Sequence, residues 1–349
     1  MKKLLLSTLV LPLAIGFLAA CSGGSTPEST AQTDGQSSDV AEAVEIEKVS
    51  IGYMPNFSSV GLAVIAREAG YFEEEGIDVE LVEFADGPTI IAAMESGSIQ
   101  VGNIGPGAHK LLGQGKAQLA IMDQLGNADA VIGLKSKGIE SIEDLKGKTI
   151  AVASGTSSET ILKLTMQEAG LTDKDVTLMD MDASAITTAM LSGKIDAAAT
   201  WSPNTHTIAA ELGDDVVTLS NNERYVKDVP TVSSWAIKPG YYEENKDVLT
   251  RVTRALLKAM DYRKEDGSQM AEWVAQQLAV DVANIELQLQ DGKYFTSKEF
   301  QEKVASGEMY ELYGTQQKNF IETGMLEDTG DLVQPEDYLL ADLINEAMK

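Results

Sequence analysis

The sequence predicts an α/β fold of two similar lobes with mixed, mostly parallel sheets, joined by two crossing strands around a ligand cleft. The first observation is a strand, a turn of small residues and an amphipathic helix over residues 149–164. The second is the same succession of elements earlier in the chain, from residue 51. The third is a pair of apolar segments, residues 130–134 and 232–237, placed to carry the chain between the lobes. Since parallel strands end at one edge of a sheet, the strand-end turns of both lobes would line the cleft.

The side chains of residues 149–164 explain this first strand and helix. Short apolar residues at 150–153 are typical of a buried strand, and the Ser-Gly pair that follows turns the chain. Thr156 and Glu159 have the spacing of a capping box at the start of the helix. A helix N-terminus presents backbone N–H groups and favours an anionic or strongly polar ligand group. One such turn alone is equally typical of an ordinary capped helix.

The duplication extends through the rest of both halves. In each half the first helix closes on Glu-Ala-Gly, and the second contains Ala-Met and closes on Ser-Gly before an isoleucine. A third strand then ends in a polar turn with proline. The matching segments are residues 51–59 and 151–158, 68–70 and 168–170, 93–99 and 189–195, and 103–106 and 200–203. Agreement in order and spacing favours two lobes of common design over chance likeness.

Residues 1–21 are typical of a targeting segment. Two lysines precede an apolar run, which ends in Leu-Ala-Ala-Cys with Cys21 as its last residue. This ending resembles a bacterial lipoprotein box, and the resemblance implies cleavage before Cys21 and its acylation. Several acyl chains would give stable membrane attachment. Cys21 is the chain's only cysteine, so an internal disulfide is excluded.

Composition predicts the domain boundaries. Residues 22–48 are rich in Ser, Thr, Gly and Gln without apolar periodicity, which indicates a flexible tether. We expect lobe I to comprise residues 49–131 and 238–349, including amphipathic C-terminal helices that pack on it. Residues 132–237 would form lobe II.

Composition also limits the chemistry. The 54 acidic and 27 basic residues give a net charge of −27, which argues against nucleic acid as a partner. The sequence has two histidines, no G-x-S-x-G turn and no Cys/His metal spacing. We therefore expect a monomer that is not an enzyme and that needs neither cofactor nor metal.

From residue 51 to about residue 239 the chain resembles the solute-binding proteins of ABC importers of the sulfonate, nitrate and taurine type. The resemblance lies in the order of six segments. These are residues 51–55 (Ile-Gly-Tyr-Met-Pro), 68–72 (Glu-Ala-Gly-Tyr-Phe), 74–80, 93–99, 144–152 and 199–203 (Ala-Thr-Trp-Ser-Pro). It implies a lipid-anchored protein on the extracytoplasmic face of the cell membrane. Such a protein captures a small solute by hinge closure and delivers it to a membrane permease with an ATPase partner.

The strand-end turns supply the candidate ligand-binding residues. They are Tyr53, Asn56, Phe57, Ser58, Asp86, Asn103, Asp129, Thr156, Ser157, Ser158, Asp182 and Trp201. We expect an anion on the helix ends at Ser58 and Ser157/Ser158, and an ammonium group near the aspartates unless these only cap helices. Phe57 and Trp201 could wall a short carbon chain or belong to the core. The hypothesis is a small zwitterion of the taurine kind.

Other assignments remain open. The resembled family has a branch that binds pyrimidine precursors of thiamine, which makes an amine-bearing heterocycle the second ligand class. An extracytoplasmic enzyme would turn its ligand over and hold a strongly shifted acid or base in the cleft. An adhesive lipoprotein would have no pocket between its lobes.

Overall fold

The computed structural model describes residues 46–225, 229–265 and 267–349. The predicted signal segment, Cys21 and the predicted tether up to residue 45 lie outside the described residues. The first strand begins at Glu47, slightly before the predicted end of the tether.

Strands and helices alternate through the first two thirds of the chain, and helices dominate the last third. The strands are β1 Glu47–Tyr53, β2 Ile77–Glu83, β3 Val101–Ile104, β4 Gln118–Gly126, β5 Asp129–Leu134, β6 Thr149–Val152, β7 Thr177–Asp180, β8 Ala197–Trp201, β9 Val216–Asn221, β10 Val232–Ile237 and β11 Gly292–Tyr294. The α-helices are α1 Phe57–Glu68, α2 Tyr71–Glu74, α3 Gly87–Ser96, α4 Lys110–Gly113, α5 Ser157–Glu168, α6 Ala183–Leu191, α7 Asn204–Leu212, α8 Asn222–Tyr225, α9 Tyr241–Glu244, α10 Lys246–Glu265, α11 Gly267–Leu278, α12 Val282–Gln288, α13 Ser297–Ser306, α14 Glu308–Glu322, α15 Pro335–Tyr338 and α16 Ala341–Ala347. Short 3-10 helices occupy Pro106–His109, Lys135–Lys137, Ile142–Leu145, Gly213–Asp215 and Leu289–Asp291.

The strands form two separate sheets, and each sheet has a parallel half and an antiparallel half. Sheet I has the order β11-β4-β10-β3-β1-β2, and sheet II has the order β7-β6-β8-β5-β9. In sheet I the pairs of β1 with β2 and β3 are parallel, and those of β10 and β11 with their neighbours are antiparallel. In sheet II β6 runs parallel to β7 and β8, whereas β5 runs antiparallel to β8 and β9. The described sheets are thus mixed, as predicted, with less parallel pairing than expected.

The C-terminal helices cover sheet I. Residues Leu249, Val252, Leu256 and Met260, which recur at helical spacing along α10, share one buried cluster with Ile51 of β1. Side chains of α11 and α16 belong to the same cluster. Burial of this stripe, at about 25 cal/mol per Å² of apolar surface, is what attaches these helices to the sheet.

Two connections join the sheets, one in each direction. The chain leaves sheet I at the end of β4 and enters sheet II at β5 after only Asn127 and Ala128. It returns to sheet I through β10. The two connections contact each other, because the Gly126 N–H donates to the carbonyl oxygen of Thr231 over 2.6 Å. Two adjacent strands of this kind can act as a hinge.

Within the described ranges, no helix combines the length and the apolar character needed to cross a membrane. The same residues contain no group of His, Cys, Asp and Glu side chains arranged as a metal site.

Candidate ligand-binding site

A cavity of about 600 Å³, including its open mouth, lies between the two sheets. Both sheets contribute to its wall through residues at the ends of their strands, as expected for an α/β ligand site. Sequence-predicted residues that line it are Asn56, Ser58, Asn103, Asp129, Thr156, Ser157 and Trp201.

The two lobes touch beside the cavity at Gly107. An ideal Cβ on this residue would lie 2.0 Å from the carbonyl carbon of Thr156 and 2.2 Å from the nitrogen of Ser157. Only a residue without a side chain allows the 3-10 helix of lobe I to approach the start of α5 this closely.

The start of α5 differs in detail from the predicted capping box. Thr156 is the N-cap residue, but its hydroxyl donates to the Ala153 carbonyl oxygen over 2.7 Å and does not cap the helix. The Glu159 carboxylate accepts the Gly155 N–H over 2.7 Å, one residue before the expected donor. The helix end is therefore held by Glu159 from within its own first turn.

Asp129 lies against this same helix end. The hydroxyls of Ser157 and Ser158 both donate to its Oδ1, over 2.8 and 2.6 Å. Asn222 donates to its Oδ2 over 3.1 Å and accepts its backbone N–H over 2.7 Å. The hydroxyls expected to hold a ligand anion are thus engaged by a carboxylate of the protein itself.

The Asp129 carboxyl is buried but still borders the cavity. Its residue is 4% exposed. Burial raises the pKa of this carboxyl, while the hydrogen bonds from Ser158, Ser157 and Asn222 act in the opposite direction. Because Oδ2 accepts only one of these bonds, it retains capacity for a hydrogen-bond donor of a ligand.

The N-terminus of α1, the equivalent helix in lobe I, is also capped by protein groups. Asn56 Oδ1 accepts the Ser59 N–H over 3.0 Å and the Ser58 hydroxyl over 2.8 Å. The Phe57 N–H donates to Gln288 Oε1 over 2.8 Å. Ser58 lines the cavity, but its hydroxyl is directed to Asn56.

Comparison with known proteins identifies the family. The family described as "NMT1/THI5 like" matches residues 56–269, which is more than half of the chain. This chain belongs to that family. It is 33% identical to a protein of Brucella abortus (strain 2308) named as a binding protein, over 84% of this chain and 90% of that protein.

A more distant relative and a solved structure agree with this assignment. The taurine-binding periplasmic protein of Escherichia coli (strain K12) is 24% identical over 62% of this chain and 67% of that protein. The crystal structure of the periplasmic aliphatic sulphonate binding protein SsuA from Escherichia coli has a TM-score of 0.64 at 20% identity, covering 86% of this chain and 99% of that one. The NMT1/THI5-like chain thus has the two-lobed fold of periplasmic binding proteins.

Three predicted site residues of this NMT1/THI5-like protein lie in its interior, away from the cavity wall. Phe57 is fully buried and meets Tyr294 edge-on, with 6.0 Å between ring centroids. The Tyr53 hydroxyl accepts a hydrogen bond from Gln277 over 3.1 Å. Ser158 is fully buried behind Asp129.

Two of the three predicted aspartates cap helices. Asp86 accepts the Thr89 N–H at the start of α3 over 2.8 Å. Asp182 accepts the Ala185 N–H at the start of α6 over 2.8 Å, and this bond lowers the pKa of its carboxyl. Neither borders the cavity around Asp129, but Asp182 lines a second pocket between the lobes, beside Asn56 and Trp201. Of the three predicted aspartates, Asp129 is the one that lines the first cavity.

Gln124 of β4 and Ser233 of β10 also line the cavity and are not among the sequence-predicted site residues. They lie opposite each other across the β4–β10 pair. Both are polar residues within buried strands that are mostly apolar, and this pattern was the available signal. Burying a polar side chain costs free energy unless the side chain forms a hydrogen bond.

Neither histidine borders the cavity. His109 is buried, contacts Gln316 Oε1 through its Nδ1 over 2.7 Å, and has its pKa lowered to about 4 by burial. His206 on α7 contacts the Asp291 carboxylate through Nε2 over 3.1 Å, and this hydrogen bond raises its pKa. Both therefore have structural partners.

Proposed function

We propose that this protein is the extracytoplasmic solute-binding component of an ABC importer. It captures a small solute between its lobes by hinge closure and delivers it to a membrane permease with an ATPase partner. The observation that carries the proposal is the cavity between two sheets that are joined by a paired hinge, in a chain of the NMT1/THI5-like family.

The charge around the cavity favours a solute with an amino group. Among the described residues that line it, Asp129 is the one with an ionisable side chain, and none is Lys or Arg. A bare oxyanion would face a buried carboxylate without a compensating cation, and in a low-dielectric site this repulsion is strong. An ammonium group beside Asp129 would be stabilised by the same carboxylate.

The first candidate solute is a small zwitterion of the taurine kind, with its ammonium group next to Asp129. A relative is named for taurine binding, which makes this class the natural starting point. The second candidate is an amine-bearing heterocycle such as a pyrimidine precursor of thiamine. It is favoured by the lack, among the described lining residues, of any cation to hold a sulfonate.

Calorimetry separates these candidates. Taurine and isethionate have the same sulfonate and differ in an ammonium against a hydroxyl, so the pair isolates the contribution of Asp129. We expect taurine to bind at least tenfold more tightly than isethionate, and Asp129→Asn to abolish most of that difference. If 4-aminopyrimidine binds and taurine does not, the second candidate replaces the first. If the protein binds none of a broad panel of small metabolites in a thermal-shift screen, the proposed function is wrong.

We further propose that the protein binds its solute without changing it. The function requires that the ligand be recovered intact after denaturation of the complex. Mass spectrometry of the released ligand checks this, and any stoichiometric or catalytic conversion would indicate an enzyme on the same fold.

We also propose that Cys21 carries the lipid anchor of a monomeric protein. The anchored form should partition into the detergent phase of Triton X-114, and Cys21→Ser should move it to the aqueous phase. Light scattering of the Cys21→Ser protein should give the mass of one chain. Detergent partitioning that is independent of Cys21 would contradict the proposed anchor.

A further inference from the structure

Three strands of sheet I each carry a cavity-lining residue with a buried side-chain oxygen that has no partner in the described part of the chain. Within the described residues, Asn103 Oδ1, Gln124 Oε1 and Ser233 Oγ have no hydrogen-bond partner. Their residues are 0%, 1% and 6% exposed, and all three line the cleft. We call these atoms the floor acceptors, since the two amide oxygens can only accept and the Ser233 hydroxyl can accept as well as donate. Buried polar atoms are nearly always hydrogen-bonded, so a group of three at one cavity points to a ligand.

Asp123 settles the orientation of the Asn103 amide. The amide Nδ2 donates to Asp123 Oδ2 over 3.1 Å. An ionised carboxylate can only accept hydrogen bonds, so the nitrogen must face Asp123 and the oxygen must face the cavity. The opposite orientation would place two acceptors against each other.

Burial raises the pKa of the Asp123 carboxyl, but its ion pair with Arg263 and its hydrogen bonds from Trp235 and Asn103 act in the opposite direction and favour the ionised, accepting form. Arg263 forms a fully buried ion pair with its Oδ1 and donates to its backbone carbonyl oxygen over 2.9 Å. The indole Nε1 of Trp235 donates to its Oδ2 over 3.0 Å. Arg263 lies 4.4 Å above the ring of Tyr294, which supports the guanidinium from its other side.

The other two floor acceptors lie on adjacent strands. Gln124 and Ser233 are direct partners in the β4–β10 register. The Nε2 end of Gln124 packs against Gly292 of β11, where a Cβ would lie only 2.9 Å away. The Oε1 end of the amide has no partner among the described residues. With Asp129 on the opposite lobe, both walls of the cleft offer acceptors.

We propose that Asp123 is a positioning residue that makes the cleft floor an acceptor surface, so that the bound solute must bring N–H donors to lobe I. The solute class is therefore an amine, amidine or primary amide with at least two N–H groups. This inference rests on the proposed solute-binding function. It favours the amine-bearing heterocycle over taurine, because taurine with its ammonium at Asp129 would turn its sulfonate oxygens towards the floor acceptors.

Benzamidine and benzoate test the inference, because they share one shape and present donors or acceptors respectively. Calorimetry on the full-length protein should detect benzamidine, with benzoate at least tenfold weaker. Asn103→Leu and Gln124→Met should each weaken benzamidine about fivefold to tenfold, as expected for one hydrogen bond, without weakening benzoate. Asn319→Leu is the matched control, since Asn319 is also a buried asparagine whose Oδ1 has no partner within the described residues, but it lies outside the cleft.

Asp123→Asn tests the positioning role separately. It allows the Asn103 amide to turn its nitrogen to the cavity, so the benzamidine-to-benzoate affinity ratio should fall about tenfold even where the overall affinity changes little. A purely structural role would weaken both probes equally and leave the ratio unchanged. If this variant does not fold because Arg263 loses its partner, the double variant Asp123→Asn with Arg263→Met removes both charges and provides the same readout.

These binding measurements test the acceptor floor separately from the proposed solute-binding function. Equal binding of the two probes, no binding of benzamidine at 10 mM, or an unchanged ratio in the Asp123 variants would overturn the acceptor floor. A metabolite that still binds and closes the lobes would in that case leave the solute-binding function intact.

Discussion

At the residue scale, Gly107 permits the two lobes to meet. Real Cβ atoms essentially never come within 3.0 Å of another heavy atom of this kind, yet a Cβ here would lie 2.0 Å from the Thr156 backbone. Its φ is not positive, so space and not backbone conformation requires the glycine. Because the atoms that the added Cβ would meet are backbone atoms of Thr156 and Ser157, no side-chain rotation can relieve the clash.

We predict that Gly107→Ala weakens solute binding at least tenfold by preventing full closure. The stability of the unliganded protein should change little, since an open arrangement removes the clash. Calorimetry and thermal unfolding measure the two quantities. Gly314→Ala on α14 is the comparison variant, because its Cβ would meet only Pro335 Cγ, at 3.8 Å, and Gly314 does not line the cavity. Equal loss of affinity in both variants would show that the contact at Gly107 is not what limits closure.

His109 predicts a second residue-scale effect, on stability at acid pH. Burial lowers the pKa of His109 from 6.5 to about 4. Between these two pH values the imidazole is therefore protonated in the unfolded chain but neutral in the folded protein. The stabilisation is present at neutral pH and is lost as pH falls from about 6.5 to 4, by roughly 2 to 3 kcal/mol. Urea unfolding at pH 7 and pH 4 should therefore show a smaller acid loss for His109→Gln than for the wild type. An equal loss would contradict a neutral, buried His109.

At the element scale, local patterns predict helices and strands but not which polar groups meet. The spacing of residues 149–164 correctly predicts β6, the turn and α5, because apolar periodicity and turn residues act between neighbours in sequence. The capping bond of Glu159 nevertheless forms to Gly155, one residue before the predicted donor. It could not predict that Ser157 and Ser158 bind Asp129, since that contact requires β5 to pair antiparallel with β8. Gln124 and Ser233 were missed for a related reason: whether a polar residue in a buried strand faces a cavity depends on the other lobe.

The contact of α7 with the 3-10 helix Leu289–Asp291 predicts a pH effect of the opposite sign. The hydrogen bond from His206 to Asp291 raises the pKa of His206, so the protonated folded form is favoured. Its contribution is fully present below the unfolded pKa of about 6.5 and is lost as pH rises through the folded value. Since the His206 side chain is 36% exposed, we expect less than about 1 kcal/mol. The melting temperature of the wild type should exceed that of His206→Gln at pH 5.5 but not at pH 8.5, and a constant difference would exclude this contact.

At the scale of the whole molecule, the site exists only when both sheets are present and close together. Lobe I contributes the floor acceptors and lobe II contributes Asp129. The hydrogen bond between Gly126 and Thr231 joins the two connections between the lobes. A solute that bridges both walls gains its contacts only in the closed arrangement. Its binding must therefore shift the population towards closure, by at most the difference in its affinity for the two arrangements.

The coupling between solute binding and lobe closure can be measured as the distance between two labels, one on each lobe. Because Cys21 is the only cysteine, a Cys21→Ser chain with Asp78→Cys on lobe I and Lys174→Cys on lobe II carries two spin labels at exposed positions. Pulsed electron resonance should show a broad distance distribution that narrows to its short end when the solute identified by calorimetry is added. With Gly107→Ala in the same background the long distances should persist at saturating solute, because the methyl group and the Thr156 backbone cannot occupy the same space. A solute that binds without moving the labels in the wild-type background would mean that capture occurs without hinge closure.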